Sequence, residues 1–405
     1  MWVLKLAWKN MWRNRSRTAI TTSAVFFAIL LAVVTSSFQV GVFDNLIKNV
    51  VGFYNGYVQV HKMGFWDEQI LDNVFENKNS VQNKILSNEN IESIAPRLES
   101  FALVATDSLT KGCLVVGIAP ARENEITKLK SKIISGSYLK DDDPDILISE
   151  GLADRMRVKL YDTIVLLGQG YHGAMATGKY RIKGMLKFGS PELNKQSLYL
   201  NLPEAQSMFG AQNKLTSYVL NLKSTKTMDE TVVSLRNLLD DDYEVMTWEE
   251  MMPDVSQHIK TDNASMYIIF FLLYILVCFG IFGTLLMMMV ERKYELGMLV
   301  AIGMKKIKLS TLLILESLFT VITGCLAGIL VSLPVVYYLK WHPIRFTGDF
   351  AKTYQEFGFE PIFPASTDSS IFIQQGLIVL ILGLVLSLYP VLKVFRLNPI
   401  ESLKK

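Results

Sequence analysis

The chain has 405 residues, half of them apolar and one in five charged, with a formal net charge of only +3. A positive mean hydropathy at that charge content is unlike an ordinary soluble protein and implies that apolar and charged residues are segregated along the chain. Three cysteines, no two close in sequence, exclude a disulfide framework and a Cys-based zinc site, and four scattered histidines exclude a His-rich metal centre.

Residues 1–18 place Leu4, Trp8, Met11 and Trp12 on one helical face and Lys5, Lys9, Arg13 and Arg17 on the other. Tryptophan at headgroup depth beside lysine facing anionic lipid describes an amphipathic helix lying on the cytoplasmic membrane surface. A plain basic flank is the alternative. The stretch 19–41 carries no charge and is long enough to cross a bilayer, which takes about 20 helical residues. Its apolar run exceeds the roughly 7–15 residues of a signal peptide and no small-residue cleavage site follows, so it reads as an uncleaved anchor.

Residues 44–262 predict a folded α+β domain. Strand-like runs recur at 57–60, 102–105, 113–118, 146–149, 163–167, 180–186, 197–202 and 217–222, and helical patches at 81–86, 151–158, 203–209 and 228–239. Asp141 to Asp145 and Asp240 to Asp242 lack the alternating ligand spacing and central glycine of a calcium loop and read as solvated turns. Gly173 to Lys179 has the spacing of a phosphate-binding loop, but Tyr180 stands where the magnesium-binding hydroxyl belongs and strand-like runs flank it. It reads as a hairpin loop. The sequence offers no catalytic constellation, and no cofactor or metal site is expected.

Further spans are expected at 264–290, 309–339 and 371–392, the second of these holding one charged residue, Glu316. An acid there is either functional or snorkels to the interface. Gly324 and Gly328 form a small-residue packing face suited to a subunit interface. The loop at 340–370 is rich in aromatics, and Phe350, Tyr354 and Phe357 have helical spacing. Either a short helix on the outer membrane face or packing against the large domain would use them.

Charge orients the spans. Residues 1–18, 291–308 and 393–405 together hold 14 positive and 3 negative charges, whereas 44–262 and 340–370 hold 27 and 34. Basic flanks stay cytoplasmic, so both termini and the 291–308 loop lie inside and the large domain outside. The expected fold is an α-helical membrane protein with four transmembrane helices and a large extracytoplasmic α+β domain between the first and second.

Within 291–308, acids at 291 and 295 suit a helix start, the lysines at 305, 306 and 308 suit its end, and Gly303 suits a C-cap. Leu296, Leu299, Val300 and Ile302 are expected to be exposed on this short helix, which then needs something to dock on.

Three separated motifs carry a family resemblance: Leu6 to Thr18; Glu291-Arg-x-x-Glu-Leu-Gly-x-Leu-x-Ala-Ile-Gly303 with Leu315-Glu-Ser317; and Tyr389-Pro390 with Leu397-Asn-Pro-Ile-Glu-Ser-Leu403. In these the chain resembles the FtsX-like, MacB-type permeases of ABC transporters, and within them the lipoprotein-releasing permeases. The resemblance implies a bacterial inner-membrane protein working by mechanotransmission. An ABC ATPase dimer, which alone binds ATP, would dock on a cytoplasmic coupling helix and drive the periplasmic domain. It also implies a second permease subunit, identical or not, contact with membrane lipids, a lipoprotein substrate and a periplasmic carrier, and no nucleic acid. Leu296, Leu299 and Ile302 would insert into the ATPase, Glu291, Arg292 and Glu295 would position the helix, and Gly297 and Gly303 would allow close approach and the turn back. Export of a peptide or antibiotic and regulation of a cell-wall hydrolase are the alternative functions.

Overall fold

The structure, a computed structural model, describes residues 2–13, 15–349, 351 and 362–396. It divides into two units, one of residues 1–43, 259–344 and 362–405, the other of 44–258 with 345–361. Most of the aromatic segment at 350–359 and the motif at 397–403 lie outside the described residues.

Among the described residues, four helices are long and apolar enough to cross a membrane. The helices are α1 (Trp2–Arg13), α2 (Arg15–Val50), α3 (Pro253–Glu291), α4 (Lys293–Ala301), α5 (Lys306–Trp341), α6 (Ser369–Leu386) and α7 (Leu388–Phe395). At 1.5 Å per residue, α2, α3 and α5 are each over about 50 Å long, more than the roughly 30 Å hydrocarbon core requires. They outrun the apolar stretches because no helix breaker follows those stretches; Pro253 sits at the first position of α3, where its missing N–H costs nothing. The fourth span is not one helix. It breaks at Ser387, because Pro390 offers no N–H to the carbonyl of Leu386.

Small residues set the packing inside this unit. A Cβ built on Gly324 would lie 2.7 Å from the Val25 Cβ, and one on Gly328 would lie 2.8 Å from the Ile29 Cβ. The two glycines therefore seat α5 against α2 of the same chain, which corrects the expectation of a subunit interface. Polar side chains add a second tie. The Tyr274 hydroxyl bonds to Gln375 Oε1, Gln375 Nε2 donates to Ser36 Oγ at 3.1 Å, and Gln39 Nε2 donates to Asn263 Oδ1 at 2.7 Å. Gln375 is buried, so α2, α3 and α6 satisfy one another's polar groups where lipid could not.

The outer unit is built on a ten-stranded mixed sheet. Its strands are β1 (Val58–Lys62), β2 (Ile91–Ala105), β3 (Thr110–Ile118), β4 (Ile133–Gly136), β5 (Ile146–Ser149), β6 (Thr163–Gln169), β7 (Met175–Leu186), β8 (Ser197–Asn201), β9 (Ser217–Leu222) and β10 (Tyr243–Thr247). Their order is β10-β1-β9-β2-β3-β8-β5-β7-β4, with β6 pairing β2 and β7. Residues 170–174 join β6 to β7 as a hairpin; of the segment 173–179 expected to be the loop only 173 and 174 belong to it, because 175–179 pair with β6 as the start of β7. Asp143 and Asp145 pair with Lys183 and Arg181 on β7.

Strand β2 runs 15 residues, of which the sequence marks only the last four, because Pro96, Arg97 and Glu99 interrupt its apolar pattern. Arg97 is fully buried at the centre of the sheet. Its Nε and Nη2 bond to the two Glu123 oxygens at 2.9 and 2.7 Å, its Nη1 donates to Glu99 at 3.1 Å, and Nη2 also donates to the Tyr54 carbonyl at 2.7 Å. Such a bidentate pair satisfies a guanidinium that apolar surroundings would otherwise exclude.

Two outcomes follow from this packing. Gly328→Val should lower the stability of the purified chain by about 1–3 kcal/mol through overpacking against Ile29. Gly283→Ala, at a position with nothing within 4 Å, should change it by under about 0.5 kcal/mol; equal melting shifts for both would contradict the α2–α5 contact. In the outer unit, burial pushes the His61 imidazole down to about 4, whereas an unfolded chain's imidazole titrates near 6.5. The unfolded state therefore takes up the proton first, and stability falls as pH drops from about 6.5 toward 4. His61→Gln should reduce that loss in thermal unfolding at pH 7 and pH 4.5.

Candidate functional site

The loop between the second and third spans folds as α4, nine residues and about 13 Å long. It ends where Gly303, at φ 105°, takes a conformation that residues with a Cβ rarely adopt, turning the chain toward α5. Glu291, Glu295 and Gly303 are exposed, and Gly297 is buried.

The apolar residues of α4 do not all face outward. Leu296 is 3% exposed and belongs to the same packed cluster as Met288, Leu309, Leu312 and Leu313, with Leu299 and Val300 partly buried against it. This corrects the expectation that Leu296 and Leu299 project into a partner: a helix tucked against two spans must bury one face in their core. The free face carries Tyr294, Met298 and Ile302, the last 77% exposed. These stand at i, i+4 and i+8 and share one side of the helix.

What holds α4 in place is a pair that spacing alone does not reveal. Arg292 Nη1 donates to Glu316 Oε2 at 2.8 Å, with the side chains 7% and 3% exposed. Glu316 thus neither snorkels nor stands as a lone intramembrane acid; it neutralises the residue that caps the start of α4. A second nitrogen of Arg292 reaches the Asn10 carbonyl at 3.4 Å, and Arg13 pairs with Glu295. Trp8 meets Phe319 edge to face at 5.8 Å. Helix α1 is therefore clamped to α4 and α5: Ala7 and Met11 are buried, and Leu4, Trp8 and Trp12 are about half exposed. The expected face splits, with Met11 turned to the protein and the tryptophans outward.

Beside Glu316 lies a cavity of about 30 Å³ with Thr18, Thr21, Thr284, Ser317 and Thr320 in its wall. That is room for one or two waters, and hydroxyls from three helices supply their partners. The sequence signal for this polar pocket was Thr284 in an otherwise apolar span, together with the hydroxyls around Glu316.

Residues 18–238 match the family model of the MacB-like periplasmic core domain, and residues 267–399 match that of the FtsX-like permease C-terminal region. The chain is similar to the lipoprotein-releasing system transmembrane protein LolC of Xylella fastidiosa, at 20% identity over 328 residues and 79% of each chain. It is also similar to the lipoprotein-releasing system transmembrane protein LolE of Haemophilus influenzae, at 22% over 261 residues, 63% of this chain and 62% of that one. Among solved structures, the periplasmic region of MacB from Actinobacillus actinomycetemcomitans matches with a TM-score of 0.36 and 15% identity, covering 53% of this chain and 97% of that one.

Removing one member of the buried pair strands the other charge. Glu316→Ala should destabilise the chain by about 3–5 kcal/mol, and the double variant Arg292→Leu with Glu316→Leu should recover most of it. Thermal unfolding of the purified variants measures both; a double variant as unstable as the single would refute the pairing.

Proposed function

Because the chain belongs to the FtsX-like permeases with a MacB-like periplasmic core domain, ABC transporter permeases of the MacB and Lol type, we propose that α4 is the coupling helix on which an ATPase dimer supplied by another chain docks. The observation that carries this reading is the exposed Tyr294, Met298 and Ile302 face on a helix anchored through its other side by Arg292 and Glu316. An apolar face exposed on a short helix in a basic loop is unfavourable in water, and an aromatic ring, a Met and an Ile side chain suit a pocket in a partner. The permease hydrolyses nothing itself. ATP-driven closure of the dimer displaces α4, and the buried ion pair passes the displacement to α5, which the glycine contacts couple to α2. The chain enters and leaves the outer unit within α2 and α3, so the motion reaches the periplasmic domain through helices, and the work is mechanical.

On this reading α4, α1 and both termini lie on the cytoplasmic side of a bacterial inner membrane and the outer unit in the periplasm; what supports it is the concentration of basic residues in the segments assigned to the cytoplasm. A second permease subunit completes the assembly. The second span supports this, with only 17% of its most apolar window buried against 44% for the first. The substrate class proposed is lipoprotein, released from the membrane toward a periplasmic carrier; the support is the similarity to LolC and LolE, transmembrane proteins of lipoprotein-releasing systems.

Ile302→Asp should abolish co-purification with the ATPase while the outer unit keeps its fold, and Leu296→Asp should instead unfold the membrane unit. Full retention of the ATPase by Ile302→Asp would sink the docking assignment. Depletion of the chain in cells should leave lipoproteins in the inner membrane; accumulation of a peptide or antibiotic, or a cell-wall defect alone, would redirect the substrate to export or hydrolase regulation.

A further inference from the structure

The helix of the first span is fastened inside the outer unit. Helix α2 runs without a break into a π-helical turn, Val51–Asn55, which delivers the chain to β1. The Gly56 N–H closes this turn on the Val51 carbonyl at 2.7 Å. Gly56 stands at φ 69°, and a Cβ there would lie 2.5 Å from Val219 Cγ1 on β9, so the turn sits hard against the sheet. Val51 and Tyr54 are buried. A π-helical turn is rare and gathers at functional positions; a wide turn of this kind needs partners from elsewhere in the fold to hold it.

Those partners meet at Arg97. Its Nη2 donates to the Tyr54 carbonyl at 2.7 Å, and its Cζ lies 5.0 Å from the centre of the Tyr54 ring. The same guanidinium holds both oxygens of Glu123, which stands on the helix Pro120–Thr127, and Thr127 Oγ1 fixes that carboxylate with a bond of 2.9 Å. One fully buried side chain thus joins a central strand, a helix and the turn that ends the first span, all within the outer unit. The chain leaves that unit by a different construction. Helix α3 follows the short helix Trp248–Met251, whose capping residue Glu250 pairs with Arg236, and these two side chains are 44% and 47% exposed. An exposed pair exchanges readily with water and is worth little; a buried two-bond pair has no water to exchange with.

We propose that Arg97 is the positioning residue through which displacement of the first span enters the sheet, so that α2 and not α3 drives the outer unit. This rests on the mechanical reading of the function. The role needs a fork: the guanidinium reaches Glu123 and the Tyr54 carbonyl at once, whereas a lysine ammonium, a point charge, keeps the ion pair and gives up the carbonyl.

Arg97→Lys separates this role from a merely structural one. In the purified full-length chain, with its three cysteines replaced by alanine, nitroxides at Lys48→Cys on α2 and Lys111→Cys on β3, both exposed positions, report the attachment by double electron–electron resonance. No ATPase enters that measurement. With the variant shown to be folded by circular dichroism, the distance distribution should broaden at least twofold, and an unchanged width would overturn the proposal. In the complex with the ATPase, Arg97→Lys should keep ATP hydrolysis within twofold of the parent and lose at least tenfold in lipoprotein release, while Arg236→Gln should leave both within twofold. Equal loss of release in Arg236→Gln would overturn the assignment to α2. If Arg97→Lys does not fold, a Gly-Gly insertion after Lys48, which leaves every Arg97 contact in place, decides by the same readouts, and release preserved across that insertion would overturn it. A parent complex that releases no lipoprotein refutes the functional reading instead, and the distance distribution still decides this one.

Discussion

A guanidinium and a carboxylate buried together inside a membrane unit impose a condition on everything around them: neither can move without the other. Arg292 lies at the end of the second span and Glu316 ten residues into α5, so the connection between these helices is fixed by a charge pair and not by loop stiffness. An isolated charge in such apolar surroundings is expensive, whereas the pair, with hydroxyls and a small polar-walled cavity beside it, is self-contained. The nine residues of α4 thereby become a rigid extension of the span bundle. The N-terminal helix joins the same block through Asn10, Arg13 and Trp8.

Rigidity at one end is useful only if the bundle transmits it, and the remaining contacts of the unit are of the kind that do. Glycines at 324 and 328 bring α5 and α2 close enough for side chain to meet backbone. Ser36, Tyr274 and Gln375 tie three spans through directed bonds whose loss in lipid has no substitute partner. Close-packed interfaces of this sort shift between discrete arrangements instead of deforming smoothly.

The spans were legible because some 20 residues without charge admit few other readings, and the loop helix because its caps and charges are local. Which face of each helix is packed was not legible. In a helix apolar on all sides, periodicity carries no information about the neighbour, so Leu296 looked as free as Ile302, and Gly324 as available to a partner subunit as to Val25. Pairs far apart in sequence failed for the same reason: Glu316 stood out as a charge, but nothing local identified Arg292 as its counter-ion. In the outer unit the burial of Arg97 went unmarked, because its partner Glu123 stands 26 positions on. The affiliation was readable because its motifs are contiguous.

The order of the outer sheet also governs how the protein is made. Strand β1, the first of the sheet in chain order, pairs with β9 and β10, its last two. During synthesis its pairing must wait until some 150 further residues have been made, and the sheet closes only as α3 begins. Closure of such distant pairs is intrinsically slow. The domain therefore matures late, and an assembly factor acting in that interval would meet an unpaired strand.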